Sequence, residues 1–413
     1  MSPTPDMSVL ALNAGSSSLK FGVYRVGACA HQRLLGGMSE IVDGQHGAFS
    51  VTDAEGRALD GGAQPPGTPQ AVVARIADLL SAHGLPAPGA IGHRIVHGGA
   101  QCRDHSLIDI AVMQQLEAAK AFAPLHVPPA LALIQAAQER FPGIAQVACL
   151  DTAFHASMPD LARTLPIPRE LRERGIERYG FHGLACESIV RQLGDAVPQR
   201  LLIAHLGNGA SVTAVANGRS IDTSMGLTPS GGVIMSTRCG DIDPGVLAYV
   251  VRELGYDATQ LEALIDQRAG LRGISGIGGD MRQLHAAAES NPDARLAIAM
   301  FCYSVRKQIG AMAAALGGVD LLVFSGGIGE NDAAIRSNIC DGLGALGIDG
   351  PAETGKHGEA GPKASLTPST LHRSHGAIRV MPAEEDEQIV RHTWQLATHP
   401  RARGSAVADR STF

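Results

Sequence analysis

Two arginines stand in settings where each could bind an anionic ligand. Arg238 lies in a stretch rich in hydroxyls and glycines, Asp222 to Pro244, and Arg94 lies in an apolar run that ends at Gly98. A guanidinium group binds a carboxylate or a phosphoryl group through two parallel hydrogen bonds, and it is costly inside an apolar strand without an anionic partner. The sequence therefore predicts that both arginines hold anions. The alternatives are a solvated surface turn at Arg238 and a structural salt bridge at Arg94.

An aspartate and a histidine have comparable settings. Asp151 directly follows a predicted buried strand, 146–150, and ligands of α/β sheets bind at that end of a strand. His182 lies between Gly180 and Gly183, which predicts that its ring faces a ligand. The alternatives are a helix N-cap for Asp151 and an ordinary structural role for His182.

Three turns rich in glycine, serine and asparagine could cradle phosphate. Two are the tips of predicted β-hairpins, one at Asn13–Ser18, which Lys20 follows, and one around Asn208. The third, Ser325–Asn331, connects a predicted buried strand to a helix. Backbone N–H groups in such turns suit phosphate oxygens, and a solvated turn is the alternative. The two hairpins also read as a weak internal repeat that matches Gly15 with Gly207 and residues 18–20 with 211–213.

The combination of these residues predicts phosphoryl transfer. That reaction depends on positioning and on charge neutralisation by arginine, magnesium and backbone N–H groups. The chain has no Walker loop, no Gly-x-Gly-x-x-Gly motif that opens a βαβ unit, no Ser/His/Asp signature and no His-Glu-x-x-His zinc motif.

Hydrophobic periodicity and capping residues predict the elements that position these groups. Predicted helices cover 69–83, 111–121, 128–141, 187–193, 244–254, 258–267, 293–316 and a final helix, 384–398. Residues 36–67 are expected to form turns between short strands, 273–282 a polar glycine loop and 350–376 another loop. A last short strand is expected at 378–381.

Length and composition limit the possible classes of protein. With 413 residues the chain should form two or more domains, and 45% hydrophobic with 18% charged residues is ordinary for a folded protein. A net charge of −6 gives no reason to expect a nucleic-acid partner or a membrane surface. The seven scattered cysteines favour neither a disulfide framework nor a zinc site, and no run of about 18 apolar residues occurs. A cytoplasmic protein is expected.

The sequence resembles the acetate kinase family, of the acetate and sugar kinase, heat-shock protein and actin superfamily, from about Val9 to about Thr393. The motifs that carry the resemblance are Asn13–Lys20, Gly92–Gly99, Asp151–His155, Tyr179–Gly183, His205–Gly209, Asp222–Pro229, Arg238–Pro244 and Gly326–Asn331. Agreement across all eight by chance is implausible.

The resemblance implies an α/β fold of two duplicated actin/ribonuclease H-like lobes around a nucleotide cleft. The first lobe would be 1–152, with the helix 384–398 packing back on it. The second, 153–383, would bind nucleotide and form a homodimer. Hinge closure would exclude water, and 399–413 would be a disordered polar tail.

The resemblance also implies reversible, direct in-line transfer of a phosphoryl group from ATP to acetate, with Mg²⁺ or Mn²⁺, giving acetyl phosphate and ADP, and a place in acetyl-CoA biosynthesis. Its catalytic residues would be Arg94, Asp151, His182 and Arg238, with the last two stabilising the transition state. Asn13 and Glu385 would serve the metal. Acetate would meet Asn13, Arg94, Val96, Leu125, His126, Phe181 and Pro229. ATP would meet Lys20, His205, Leu206, Gly207, Asn208, Gly209, Asp280, Met281, Arg282, Gly327, Ile328, Gly329 and Asn331.

The sequence departs from the family pattern at four places. Val127 stands where Asn usually follows the histidine, Leu184-Ala185-Cys186 replaces Thr-Ser-His, and Ser230-Gly231 replaces Leu-Glu. Acidic residues fill the segment around Glu385. These changes do not involve the charged catalytic residues. They therefore leave the identity of the acyl group less certain than the class of reaction. Propionate is the nearest alternative, since one methylene is worth only roughly 1–3 kcal/mol of discrimination.

Three other interpretations stay open. A phosphorylated His182 could lie on the reaction path. The chain could be an ATP-driven conformational protein of the same superfamily, which would leave Arg94 and Arg238 without a role. It could also be an inactive relative that binds nucleotide or oligomerises.

Overall fold

The computed structural model describes residues 6–15, 18–27, 31–42, 45–59, 64–348, 353–354 and 377–399. Ser16 and Ser17 of the first predicted phosphate turn, most of the predicted loop 350–376 and the predicted tail from residue 400 onward lie outside these ranges.

The described chain contains both strands and helices. The strands are β1 (Met7–Ala14), β2 (Ser18–Val26), β3 (His31–Val42), β4 (Gln45–Asp53), β5 (Ala58–Leu59), β6 (Ala90–Ile95), β7 (Ser106–Leu107), β8 (Ala145–Leu150), β9 (Arg200–Leu206), β10 (Ala210–Ala216), β11 (Arg219–Thr223), β12 (Leu321–Ser325), β13 (Glu353–Thr354) and β14 (Ala377–Val380). The helices are α1 (Pro69–Ala82), α2 (Ile110–Ala118), α3 (Val127–Arg140), α4 (Asp160–Arg163), α5 (Arg169–Arg172), α6 (Gly183–Leu193), α7 (Pro244–Leu254), α8 (Ala258–Gln267), α9 (Gly270–Ser275), α10 (Met281–Ala287), α11 (Pro292–Leu316), α12 (Gly326–Asn331), α13 (Ala333–Cys340) and α14 (Glu385–Thr398). None of the described helices is long and apolar enough to cross a membrane.

The described residues group into two compact units. Unit 1 comprises those within Met1–Leu150 and Glu385–Phe413, and unit 2 comprises those within Asp151–Glu384. Each unit is built on one mixed sheet, which confirms the α/β fold class.

The sheet of unit 1 has the strand order β5-β4-β3-β2-β1-β6-β8-β7. The first strands form an antiparallel meander, and β6 runs parallel to both β1 and β8. Helices α1 and α3 pack together and cover a core that includes Leu10, Phe21 and Ile91. Helix α14 packs on β1, β6 and β8. Gly92 allows that approach, because a Cβ there would collide with Thr393 on α14.

The sheet of unit 2 has the order β11-β10-β9-β12-β14-β13. Here too an antiparallel meander, β9 to β11, adjoins parallel strands, since β12 is parallel to both β9 and β14. Helix α6 buries Cys186, Ile189 and Leu193 against the sheet, and α11 packs along β10 and β9. The order β3-β2-β1-β6-β8 in unit 1 therefore has the same pattern as β11-β10-β9-β12-β14 in unit 2.

The predicted alignment of the internal repeat is correct for Gly15 and Gly207 and wrong for the residues that follow them. Gly15 N–H donates to Ser18 O over 2.8 Å, and Gly207 N–H donates to Gly209 O over 2.9 Å. The cross-strand pair Asn13–Lys20 therefore corresponds to the pair His205–Ser211. Residue 211 matches Lys20, not Ser18, because the second turn is one residue shorter.

Residues 36–67 were expected to form turns between short strands because they are rich in glycine, but pairing with neighbouring strands makes two of their strands long. Strand β3 has 12 residues and β4 has nine. Gly37 pairs with Phe21, and a Cβ on Gly37 would lie 2.5 Å from the Phe21 ring. The glycine thus makes room for an aromatic core residue within a continuous strand.

Two further boundaries differ from prediction. Helix α6 begins at Gly183, not at Glu187, and α9 occupies part of the predicted glycine loop 273–282. Gly183 makes a close approach, because a Cβ on it would collide with the Asp151 carbonyl oxygen. The glycine at position 183 is therefore needed for contact with another segment, and it does not mark a flexible loop.

Candidate active site

The β9–β10 turn and the two segments predicted to meet ATP lie together in unit 2. Ser236 connects two of them: its N–H donates to Asn208 O over 3.2 Å, and its hydroxyl lies 2.9 Å from Gly279 O. A Cβ on Gly207 would lie 3.9 Å from Gly327 N, at the start of α12. The structure thus brings His205–Gly209, Asp280–Arg282 and Gly327–Asn331 into one region of unit 2.

Hydrogen bonds among its own residues hold the turn at the start of α12. Gly326 has a φ of +78°, and its N–H donates to Glu330 Oε1 over 2.9 Å. The same carboxylate oxygen accepts the N–H of Ala383 over 3.1 Å, and Asn331 Nδ2 donates to Gly327 O over 2.9 Å. Because Glu330 already satisfies the Gly326 amide, the predicted phosphate contact at this helix start cannot use that N–H.

Asp280 and Arg282 form an ion pair at the start of α10. The Asp280 carboxylate accepts the N–H of Arg282 over 2.9 Å and pairs with Arg282 Nη2 over 2.7 Å. The hydrogen bond from the arginine side chain lowers the pKa of Asp280. The guanidinium of Arg282 is itself largely exposed.

His182 is held in an unusual backbone conformation. It is the N-cap of α6 with a φ of +59°, in the left-handed region that non-glycine residues rarely adopt. Its Nδ1 lies 3.0 Å from Ser211 Oγ, and its ring packs on that of His205, with centroids 4.6 Å apart. Strained backbone of this kind is maintained by surrounding contacts and concentrates at functional sites.

The other ring nitrogen of His182 and the guanidinium of Arg238 meet at Gly209. A Cβ on Gly209 would lie 3.0 Å from His182 Nε2 and 3.3 Å from Arg238 Nη1. Two nitrogen groups therefore converge on one point of the β9–β10 turn. Such a pair suits an anion that gains charge during a reaction.

Arg238 is placed by its own loop. Its Nη1 donates to Pro229 O over 3.3 Å and contacts Met235 Sδ at 3.6 Å. The loop is tied down nearby, because Ser230 hydrogen-bonds Asp266 and Thr237 Oγ1 donates to Asp266 O over 2.7 Å. Ser230, one of the departures from the family pattern, thus helps to hold the arginine loop.

Asp151 is not a helix cap. The 3₁₀ turn after it begins at Ala153, with Thr152 as its N-cap. The Asp151 side chain is only 1% exposed, and its carbonyl oxygen accepts the N–H of Gly183 over 2.8 Å. Asp151 is therefore fixed directly beside the residue that follows His182.

The apolar candidates of unit 2 lie beside this set. Phe181 is 1% exposed, and its carbonyl oxygen lies 2.9 Å from His155 Nε2. His155 Nδ1 lies 2.9 Å from Ser220 Oγ, and burial lowers the pKa of His155 to about 4. A neutral His155 thus donates to Phe181 O and accepts from Ser220. It positions the segment that carries Phe181 and His182.

The metal candidates of unit 1 form a compact group at the start of α14. Asn13 Nδ2 lies 3.0 Å from Glu385 Oε2 and 2.8 Å from Asp386 Oδ1. Burial raises the pKa of Asp386, and the charge of Glu385 adds to that effect, whereas Asn13, Lys20 and Arg33 oppose it. Two neighbouring carboxylates and an amide oxygen are ligands that Mg²⁺ accepts, and a cation would relieve their repulsion. These residues therefore fit the implied metal.

Among the remaining candidates of unit 1, Arg94 and Val96 lie at the end of β6, whereas Leu125 and His126 directly precede α3. Arg94 Nη1 donates to Ala14 O over 3.0 Å, which places the guanidinium beside the β1–β2 turn. Val96 is buried, Leu125 is 46% exposed, and His126 is the N-cap of α3. Because Val127 is the first residue of α3, the departure there begins a regular helix.

Four residues of the candidate site were not predicted: Ser211, His155, Arg178 and Asp386. Arg178 donates to Thr223 O over 2.8 Å and to Ala162 O over 3.0 Å, which fixes the entry to the His182 segment. Asp386 stood in an acidic run, and His155 ended a motif, so the sequence carried a signal for both. Ser211 could be found only from the hairpin register.

Comparison with known proteins agrees with the local geometry. The profile of the acetokinase family matches residues 8–391. The chain is 41% identical over 406 residues to acetate kinase 2 of Neisseria meningitidis serogroup B, covering 95% of this chain and 99% of the relative. It is 45% identical over 354 residues to the acetate kinase of Deinococcus deserti, covering 83% and 87%.

Two solved structures are similar over nearly their whole length. A propionate kinase from Francisella tularensis has a TM-score of 0.82 and 34% identity, covering 94% of this chain and 99% of that one. The acetate kinase of Porphyromonas gingivalis has a TM-score of 0.78 and 32% identity, with the same coverage. On these matches the chain belongs to the acetokinase family.

Proposed function

We propose that this chain transfers a phosphoryl group reversibly from ATP to acetate, giving acetyl phosphate and ADP. The relatives named as acetate kinases support the reaction and the acceptor. The observation that carries the proposal is the convergence of His182 Nε2 and Arg238 Nη1 on Gly209, in a turn joined to the predicted adenosine segments.

The transferred group is handled by unit 2 in this proposal. Arg238 and His182 neutralise the charge of the moving phosphoryl group, and Asp151 orients the reacting groups. A carboxylate is already nucleophilic, so no strong general base is required and direct in-line attack suffices. Inversion of configuration at phosphorus is the expected result, and retention would favour a phosphorylated His182.

ATP is bound by unit 2, with the triphosphate against His205, Leu206, Gly207, Asn208 and Gly209. The adenosine is placed against Asp280, Met281, Arg282, Gly327, Ile328, Gly329 and Asn331. Lys20 of unit 1 is assigned to the phosphates because its side chain is exposed beside the β1–β2 turn.

Acetate is held by Arg94 and Asn13, with His126 beside them and Val96, Leu125, Phe181 and Pro229 around the methyl group. Mg²⁺ or Mn²⁺, when bound, neutralises charge on the phosphates. Glu385 and Asn13, joined by Asp386, would hold the metal. On this proposal residues 1–152 and 384–398 form the acyl and metal domain, and 153–383 the nucleotide and dimerisation domain.

The two arginines give the direct test of the proposed reaction. Arg238→Ala and Arg94→Ala should each lower kcat/KM for acetate by about 10³-fold, as loss of a charge clamp does in phosphoryl transfer. The measurement is formation of acyl hydroxamate with ATP and Mg²⁺. Arg57→Ala, an exposed arginine in the β4–β5 turn, is the control and should retain full activity. Near-normal rates in both active-site variants would contradict the site.

Propionate is a second candidate acceptor, because a propionate kinase is among the similar structures. The same hydroxamate measurement with acids of two to four carbons decides between them. We expect the highest kcat/KM with acetate. A preference for propionate would reassign the acceptor and leave the reaction class intact. ATP consumption independent of any acid would instead support a non-catalytic conformational protein.

We also propose a cytoplasmic homodimer formed through unit 2. Val246, Tyr249 and Leu254 on α7 and Leu296 and Tyr303 on α11 are all exposed, although apolar or aromatic. Light scattering on the purified chain should give twice the monomer mass of 42.8 kDa. Tyr249→Asp with Leu254→Asp should reduce it to the monomer, whereas Leu161→Asp on α4 should not, although Leu161 is 95% exposed.

A further inference from the structure

Ser211 stands out among the groups around the proposed active site because it has no assigned part in the reaction. It is fully buried in β10, and its hydroxyl lies 3.0 Å from His182 Nδ1. A buried hydroxyl that faces a histidine nitrogen determines which way the ring points. It also influences which ring nitrogen carries the proton.

The surroundings of His182 leave the ring little freedom. Its backbone is in the left-handed region, and the carbonyl of the preceding residue is held by His155. The ring packs on His205, which is also the cross-strand partner of Ser211 in the β9–β10 register. The same strand pair therefore supplies both the surface under the ring and the hydroxyl at its Nδ1.

With Nδ1 turned to Ser211, Nε2 is the nitrogen directed at Gly209 and shares that space with Arg238 Nη1. A hydroxyl can donate to Nδ1 or accept from it. If it donates, a neutral imidazole keeps its only proton on Nε2. His182 can then give a hydrogen bond to a phosphoryl oxygen without becoming a cation.

We propose that Ser211 is a positioning residue for the phosphoryl transfer: it donates to His182 Nδ1, orients the ring and keeps the proton on Nε2. This inference rests on the proposed function, since it takes His182 as the group that meets the phosphoryl oxygens. Ser211 itself touches no substrate and acts only through the histidine.

The kinetic test is a double-mutant cycle. Ser211→Ala should lower kcat by roughly 10- to 100-fold, as loss of a supporting hydrogen bond does, with little change in KM for ATP. His182→Asn removes Nε2 while tolerating the left-handed backbone. In the His182→Asn background Ser211→Ala should cause no further loss, because its effect passes through the ring.

A matched control lies two residues along the same strand. Thr213 is also fully buried, and its hydroxyl lies 2.9 Å from Thr223 Oγ1 and 3.7 Å from Cys186 Sγ. Thr213→Val removes a buried hydroxyl of β10 at nearly constant volume and should leave kcat within about twofold of wild type. A loss equal to that of Ser211→Ala would mean that any damage to β10 lowers activity, and would overturn the inference.

The proton position is measured without turnover by the ¹⁵N chemical shifts of the histidine rings, with His182 assigned by its loss in His182→Asn. The expected signal at neutral pH is a protonated Nε2 and an unprotonated Nδ1, and in Ser211→Ala this preference should weaken. A protonated Nδ1 in the wild-type protein would overturn the inference. If His182→Asn keeps full activity, the role of His182 in the proposed function fails instead, whatever the shifts show.

Discussion

The two hairpins, one in each unit, occupy corresponding places in their sheets and differ in the charge of the side chains near their turns. Strands β1–β2 and β9–β10 occupy the same place in sheets of the same order, and each turn is closed by a glycine N–H. The pair Asn13–Lys20 in unit 1 corresponds to His205–Ser211 in unit 2. One scaffold thus supports two chemistries, depending on a few side chains near the turn.

The neighbours of the two turns extend this difference. In unit 1 the turn adjoins the carboxylates of Glu385 and Asp386, which suit a cation, with Arg94 beside it. In unit 2 the turn adjoins His182 and Arg238, which suit an anion. Two sheets of similar strand order therefore present side-chain groups of opposite ligand preference beside corresponding turns.

Among the predictions that compare the two turns, a change that makes the β9–β10 turn resemble the β1–β2 turn should lower kcat the most. Ser18 accepts the turn hydrogen bond in unit 1, and Gly209 does so in unit 2. Gly209→Ser would push a side chain between His182 and Arg238, so we expect kcat to fall by more than about 100-fold. The reverse change, Ser18→Gly, should cost less than about threefold. Steady-state kinetics of both variants measures the difference, and equal effects would contradict the distinct roles of the two turns.

The carboxylate pair of unit 1 should show a conflict between stability and metal binding. Burial raises the pKa of Asp386, so its charged form at neutral pH destabilises the folded state, and this cost grows as pH rises through the raised pKa. Asp386→Asn should therefore raise the free energy of unfolding by about 1 kcal/mol at pH 7.5. It should also raise the Mg²⁺ concentration for half-maximal activity by roughly tenfold.

Asp78→Asn, on the exposed surface of α1, is the matched control for Asp386. It removes a carboxylate from unit 1 and should change neither the unfolding free energy nor the Mg²⁺ requirement. If Asp386→Asn leaves the Mg²⁺ requirement unchanged, the metal does not use this pair.

The sequence pointed to candidate site residues more readily than to the residues that support them. Arg238, His182 and Asn13 stood out as candidates because each lies in a glycine- or hydroxyl-rich setting, and their roles stay predictions. Ser211 and Arg178 were not, because their roles depend on strand register and on carbonyl groups distant in sequence. A local sequence pattern contains no information on strand register or on contacts with distant carbonyl groups.

The same reason accounts for the errors in the fold. Helices α1 and α8 were placed almost correctly from caps and periodicity, since these signals lie within the segment itself. Strand β3 and the start of α6 were misplaced because Gly37 and Gly183 accommodate atoms of remote segments. A glycine that makes room and a glycine that allows a turn look identical in a sequence.

Each unit also contains a buried histidine whose pKa is strongly lowered, and these two histidines should make the units respond alike to acid. Burial lowers the pKa of His93 in unit 1 and of His155 in unit 2 to about 4. Because the unfolded pKa is near 6.5, their stabilisation is complete above that pH and is lost as pH falls from 6.5 toward 4. The loss should be about 3 kcal/mol per histidine at most.

Urea denaturation at several values between pH 7.5 and 4.5 measures this loss. His155→Gln, which keeps a donor for Phe181 O, should remove part of the pH dependence, whereas His83→Gln, at an exposed position, should remove none. A pH-independent unfolding free energy in the wild-type protein would show that these histidines are not buried as neutral groups.

The smallest expected effect concerns Lys20, which occupies in unit 1 the register position of Ser211. Lys20 is exposed, and its charge is one of the lesser influences that lower the pKa of Asp386. Since exposed charges are screened by salt, Lys20→Met should raise KM for ATP by only about two- to fivefold, and less at 0.5 M than at 0.05 M salt. Lys120→Met, exposed on the same unit, is the control and should leave KM unchanged. If Lys20→Met instead lowered kcat as much as Ser211→Ala does, the two turn positions would contribute equally. The contrast between a cation-binding turn in unit 1 and an anion-binding turn in unit 2 would then be wrong.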